Sequence, residues 1–289
     1  MNKHAFCIIA HKDVEQINIL LHILDNLKVD IYLHIDLKSS IVPSDIKTPK
    51  YSKLFFVTQH DVRWGDISLV HTELELFRSV IYSSISYERI HLISAQDMPM
   101  KSISYILDFF ERNDNKQFEF INFSENPKAI RRLQYYWFCT KHMRQGFLFK
   151  LIRHSLLLVQ KIMHVNRLNK VALAYKYGAN WASLTLPAVR YLVSEYPKYQ
   201  GIFKHSVCAD ELYKQMLLYR GKFHFSEKGN LRYAKFNGGA SPELVSKEKL
   251  NELYSNPDVL FARKFDMCES DVIDLVRYHL QRRSENDAL

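Results

Sequence analysis

The feature that most constrains this chain is the alternation of strand-like and helix-like segments through its first 125 residues. "AFCIIA" at 5–10 is a short apolar run, followed by a stretch in which Val14, Ile17, Leu20, Leu24 and Leu27 recur at helical spacing. "IYLHI" comes next, then "LFFV" at 54–57, a helical stripe through Val70, Leu74, Phe77 and Ile81, and "IHLIS" at 90–94. Two strands separated by such a helix form a βαβ unit with parallel pairing, so this half is an α/β nucleotide-fold candidate. Ligands of open α/β sheets collect at the carboxyl ends of the strands. That nominates His11, Asp36, the stretch from Gln59 to Trp64, and Gln96 with Asp97.

Beyond residue 125 the pattern loosens into an acceptor and catalytic half, 126–289. It holds "NWASLTL", a strand by composition, a helix with Pro187 in its first turn, "CADELYKQMLL", the loop-rich "RYAKFNGGASPELV" and "LFARKFD". With no internal repeat or low-complexity linker, one integrated catalytic domain over 1–289 is expected. Residues 145–176 contain six Lys or Arg and no acidic residue among many large aliphatics. Lys150, Arg153, Lys161, Arg167 and Lys170 can share one polar face while Leu and Ile face either a bilayer interface or the core. Membrane contact and simple packing on the domain are both open at this point. The net charge of +9 favours a polyanionic partner, but the aromatics are dispersed and no RNA or DNA motif occurs, which argues against nucleic acid.

The chemistry is narrowed by what is missing. None of the eight glycines forms a G-x-G-x-x-G or P-loop pattern, so dehydrogenase and P-loop kinase readings fall away. The four cysteines are scattered, which makes reduced cytosolic thiols the expectation. No apolar leader follows Met1 and no apolar run is long enough to span a bilayer, so neither secretion by a signal peptide nor a membrane span is expected. No Asp-x-Asp occurs either, although hard oxygen ligands would be needed to hold a cation on a sugar-nucleotide diphosphate. His34 and Asp36 share a strand face, but no His-x-x-x-His pair accompanies them, and no metal site is expected.

Another charge must then neutralise a leaving diphosphate. In "LFARKFD", Arg263 and Lys264 lie between Phe261 and Phe265, offering a bidentate fork and a point charge. The same pair could instead cap a helix or pair with Asp266. Glu211 falls at a helix start beside a capping Asp210, where a carboxylate serves as general base or as a helix-dipole partner. Trp64 and Trp181 are either sugar-stacking platforms or packing aromatics.

Taken in order, "IIAHKD", "YLHIDLKSS", "VRWGDISLVHTELELFRS", "LISAQDMPMKS", "YGANWASLT", "ADELYKQMLL" and "LFARKFD" resemble the core-2/I-branching glycosyltransferases, a family that also holds the peptide xylosyltransferases. The resemblance spans nearly the whole chain. It implies a GT-A type fold, with a mixed central sheet and helices on both faces. It also implies an inverting, metal-independent transfer from a UDP-sugar, with UDP-sugar as co-substrate and no other cofactor. The donor sugar, whether hexose, N-acetylhexosamine as in acetylglucosaminyltransferases, or pentose, is left open. The acidic residue of the family's P-D-E segment matches Glu211 as general base, although Ala209 replaces the proline. The family's diphosphate lysine matches Lys264, with Arg263 preceding it as in the xylosyltransferase branch. The upstream arginine of animal branching enzymes has no counterpart in "GGASPELV", so Arg263 is expected to take part of that load. Uridine is expected near Ile9, His11 and Asp36, and the donor sugar or acceptor near Asp97, Gln96, Trp64 and Trp181.

The resemblance further suggests a bacterial member acting in the cytoplasm, peripheral to the inner face of the membrane, on a glycan or lipid-linked glycan acceptor for surface polysaccharide. The rival expectation is a non-catalytic protein that binds a nucleotide or a membrane surface on the same fold.

Overall fold

The structure is a computed structural model and describes residues 3–124, 126–170 and 173–286. Its strands are β1 (Lys3–Ala10), β2 (Val29–Ile35), β3 (Lys53–Phe56), β4 (Tyr87–Ser94), β5 (Asp97–Pro99), β6 (Ala182–Leu184), β7 (Arg232–Ala234) and β8 (Phe261–Arg263). The helices are α1 (Val14–Leu24), α2 (Ser68–Tyr82), α3 (Ile103–Glu111), α4 (Arg131–Gln134), α5 (Phe147–Ile162), α6 (Leu186–Phe203), α7 (Tyr213–Arg220), α8 (Lys247–Ser255) and α9 (Ser270–Asn286).

The main sheet runs β3-β2-β1-β4-β6, and a smaller one runs β5-β8-β7. β1 pairs in parallel with β2 and β4, and β2 with β3, as the βαβ pattern predicts, whereas β6 joins β4 antiparallel. The sheet is therefore mixed. Alternation along β1 explains why both faces are covered: Phe6, Ile8 and Ala10 enter one apolar core, while Ala5, Cys7 and Ile9 enter a second core shared with α2, α6 and α7. Strands β6, β7 and β8, all from the second half of the chain, complete the sheets begun by the first.

Several local expectations need correction. The first helix ends at Leu24, so Leu27 lies beyond it and is exposed. "RYAKFN" is not wholly loop, because Arg232–Ala234 form β7, held parallel to β8. "CADELYKQMLL" is not one helix: a 3-10 turn at Ala209–Glu211 precedes α7. The physical reason is diverted carbonyls. Glu211 O accepts the Gly178 N–H at 3.1 Å, and Asp210 O accepts Lys214 Nζ at 3.0 Å. Asp210 is buried and no side chain caps that turn, so its expected capping role is not what it does. Nor do the cations of 145–176 form one polar face. Arg153 is buried, and Arg167 is buried against the carbonyls of Gly201 and Ile202 at 3.2 and 2.6 Å, at the C-terminal end of α6. The Lys170 side chain lies outside the described residues. Among those residues no helix is long and apolar enough to cross a membrane.

Candidate functional site

The site is built at the carboxyl ends of β1 and β4 and the join between β5 and β8. Antiparallel pairing of β5 with β8 sets Asp97 opposite Arg263. Phe261 and Phe265 are buried and fix the segment between them. Arg263 Nε lies 3.4 Å from Asp97 Oδ1, and the guanidinium sits 4.6 Å from the Trp181 ring centroid. Both Nε and Nη1 of Arg263 are buried yet donate no hydrogen bond among the described residues. Unspent buried donors on a cation are costly unless a ligand oxygen takes them. Burial pushes the Asp97 carboxyl up, with Arg263 opposing.

More positive charge converges here. Arg232, half-buried, donates to the carbonyls of Leu92 (3.3 Å) and Ala182 (2.8 Å) and to Ser183 Oγ (3.0 Å). Desolvation pulls its pKa down to about 9, with Asp97 opposing and Arg263 adding to the fall. Lys264 is lowered first by desolvation, then by Lys12, with Asp266 opposing and Arg263 and Arg144 adding to the fall. Asp266 is taken by Lys12, which holds its carboxyl down to about 2, and Gln96 Nε2 donates to the same carboxylate at 3.2 Å. The Phe265 N–H donates to Gln96 O at 2.9 Å, locking the end of β4 to the cation segment.

On the expected uridine side, Ile9 is buried in the α2-facing core, and its carbonyl accepts the Ala95 N–H. His11 follows β1 at the solvent edge, where desolvation and Lys12 lower its pKa, with Asp36 opposing and Lys264 adding to the fall. The Asp36 N–H donates to Ala10 O at 2.8 Å, so the ends of β1 and β2 are tied together. Its carboxylate accepts Lys38 Nζ at 2.8 and 2.9 Å, and that lysine also reaches Asp61 at 2.7 Å.

Glu211 stands on the other side. Arg132 of α4 forms an ion pair with it, and the Arg132 guanidinium lies 5.0 Å from the Tyr177 ring centroid. Beneath is a fully buried bolt. Lys214 Nζ donates to Glu73 Oε2 at 2.5 Å, to Asn180 Oδ1 and to the Asp210 carbonyl, while Tyr213 OH donates to Glu73 at 2.7 Å. Asp210 is pushed up to about 7 by burial first and by Glu211 and Glu73 next. Residues 177–181 connect the two sides: Gly178 bonds to Glu211, and Trp181 lies under Arg263. Five consecutive residues bridge at most about 14 Å between their end Cα atoms, so the Glu211 backbone and Arg263 meet the two ends of one short segment. Trp64 joins this rim, its ring 4.7 Å from the Arg144 guanidinium, while the neighbouring Gly65 O accepts the Cys208 N–H at 2.9 Å.

Asp97, Gln96, Trp181, Arg263 and Lys264 thus form one group, His11 and Asp36 a neighbouring one, and Glu211 is joined to them through 177–181. Sequence reasoning missed Arg132, Tyr177, Asn180, Lys214, Glu73 and Arg232. One signal was available: Glu73 lies in the apolar stripe of Val70, Leu74 and Phe77, where a carboxylate needs a buried partner. Arg132 gave none, since its partner is 79 residues away. Among the described residues, no three His, Cys, Asp or Glu side chains are grouped to hold a metal ion.

A family model described as Core-2/I-Branching enzyme matches residues 4–254. No curated protein matches the chain.

Proposed function

The chain belongs to the core-2/I-branching enzyme family of glycosyltransferases, and from that premise we propose that it moves a sugar from a UDP-sugar to a hydroxyl of a glycan, with inversion and without a divalent metal. The observation that carries this reading is Arg263, whose buried Nε and Nη1 donate to nothing among the described residues, set between Asp97 and the Trp181 face. A diphosphate oxygen is the acceptor that such donors suit.

In the proposed reaction Glu211 takes the proton of the acceptor hydroxyl as its oxygen attacks the anomeric carbon. The bond from that carbon to the diphosphate oxygen breaks on the opposite face, and its electron pair leaves with UDP. Arg263 and Lys264 stabilise the charge that develops there, with Lys12 and Arg232 adding to the local field. Arg132 holds the Glu211 carboxylate in place until an acceptor enters. His11 and Asp36 lie where the nucleoside would rest, and Trp181, already covered by Arg263, walls the donor sugar.

The test is a panel of UDP-glucose, UDP-galactose, UDP-N-acetylglucosamine and UDP-xylose, followed by UDP release and transfer to glycans, with and without EDTA. At least one donor should be turned over at an undiminished rate in EDTA. Strict dependence on added Mn²⁺ would overturn the metal-free reading. Thermal stabilisation by ADP or single-stranded RNA in place of UDP would overturn the donor assignment.

A further inference from the structure

Helix α5 is amphipathic in the reverse of the usual sense. Its two buried residues are polar, Arg153 and Gln160. Arg153 donates to the carbonyls of His142 at 3.1 Å and Met143 at 3.4 Å. Gln160 accepts the Tyr136 N–H at 2.7 Å and donates to the Tyr136 carbonyl at 2.9 Å. The other side shows solvent an apolar row of Phe147, Leu148, Leu151, Leu158, Val159 and Ile162, from 49 % exposed at Val159 to 80 % at Phe147. Helical spacing puts Lys150, His154 and Lys161 along one edge of that row. A helix meant only to pack on its own domain would turn these faces round.

A contiguous apolar row on the outside of a protein marks an interaction surface. Its charge identifies the partner: Lys150 and Lys161 stand exposed beside the row, no acidic residue lies within 145–176, and the chain's net charge is +9. An apolar stripe flanked by lysines is the pattern that lies in the interface of an anionic bilayer, with the lysine stems running along the acyl boundary and their ammoniums among the phosphates. The helix of about 24 Å is long enough to lie there and too short to span.

We propose that α5 docks this protein on an anionic lipid surface through that row. Its use rests on the transferase reading. Gln160 clamps Tyr136, and Arg132, on the preceding turn, holds Glu211, so docking would bring the acceptor side of the cleft to a lipid-linked glycan.

The test is co-sedimentation of the full chain with vesicles of phosphatidylcholine, alone or with one third phosphatidylglycerol. Binding should be about tenfold or more tighter on the anionic vesicles and should weaken with salt. Leu151→Asp combined with Leu158→Asp should lower vesicle affinity by about a hundredfold or more, since both contacts become polar. Lys150→Gln with Lys161→Gln should cost about tenfold on anionic vesicles and little on neutral ones. All four positions face solvent, so melting temperature and UDP release should be unchanged. Equal sedimentation of wild type and the aspartate variant would overturn the proposal. So would a wild type that ignores vesicles but sediments as a dimer that the aspartates dissociate, which would assign the row to a second copy. If vesicle binding behaves as stated while no UDP-sugar is turned over, docking stands and the transferase reading fails.

Discussion

Two cations in this molecule lie beside carboxylates away from water, and they are arranged oppositely. Lys214 and Glu73 are both 0 % exposed, and the ammonium donates to three oxygens, on Glu73, Asn180 and Asp210. Asp97 is buried and the Arg263 side chain 14 % exposed, yet the pair is 3.4 Å apart and two buried guanidinium nitrogens donate to nothing among the described residues. A buried cation whose donors are spent fixes the chain around it; one whose donors are unspent waits for an anion. The first bolts α2, α7 and the 177–181 segment together, and the second lies against Trp181 at the end of that segment.

The contrast can be broken by substitution. Lys214→Met strands the Glu73 charge and should cost about 3–5 kcal/mol in urea denaturation, abolishing activity through the fold. Glu211→Gln should leave the denaturation midpoint almost unmoved and cut transfer about a thousandfold, and near wild-type transfer would end its assignment as base. Arg263→Met should lower the transfer rate about a hundredfold with stability changed by less than about 1 kcal/mol. A stability loss as large as that of Lys214→Met would make the two cations alike and remove the argument for a diphosphate. The smallest effect belongs to Asp266→Asn. Lys12 holds that carboxyl down to about 2, below its unfolded value, so its contribution is complete above roughly pH 4 and is lost as pH falls through the folded value. The variant should flatten the acid limb of the stability curve there and cost under about 1 kcal/mol at pH 7, the range of a partly solvated pair.

Legibility follows the distance over which each feature is determined. The first half was readable because strand alternation and helical stripes are local, and β1, β2, β3, α2 and β4 lie where the periodicity sets them. Glu211, Arg263 and Lys264 stood out by their motif surroundings. What holds them was hidden. Arg132 meets Glu211 and Lys214 meets Glu73 only through tertiary pairing, and β7 is three residues paired, among the described residues, with β8. Which face of α5 meets the body stayed open for the same reason: spacing shows that a helix has two faces but not which one the body receives. There the backbone carbonyls of His142 and Met143 drew Arg153 inward.

Gly178 carries one last consequence. A Cβ at this position would fall 1.8 Å from the Asn122 carbonyl oxygen, so the chain from Tyr177 to Trp181 is pressed against its neighbour with no slack. That stretch acts as a ruler: the spacing between the Glu211 backbone and the Arg263 guanidinium is set by a count of residues, not by how a loop happens to close. Changes around Arg132 leave this gauge the same, whereas a single residue inserted between Gly178 and Trp181 would shift Glu211 relative to Arg263.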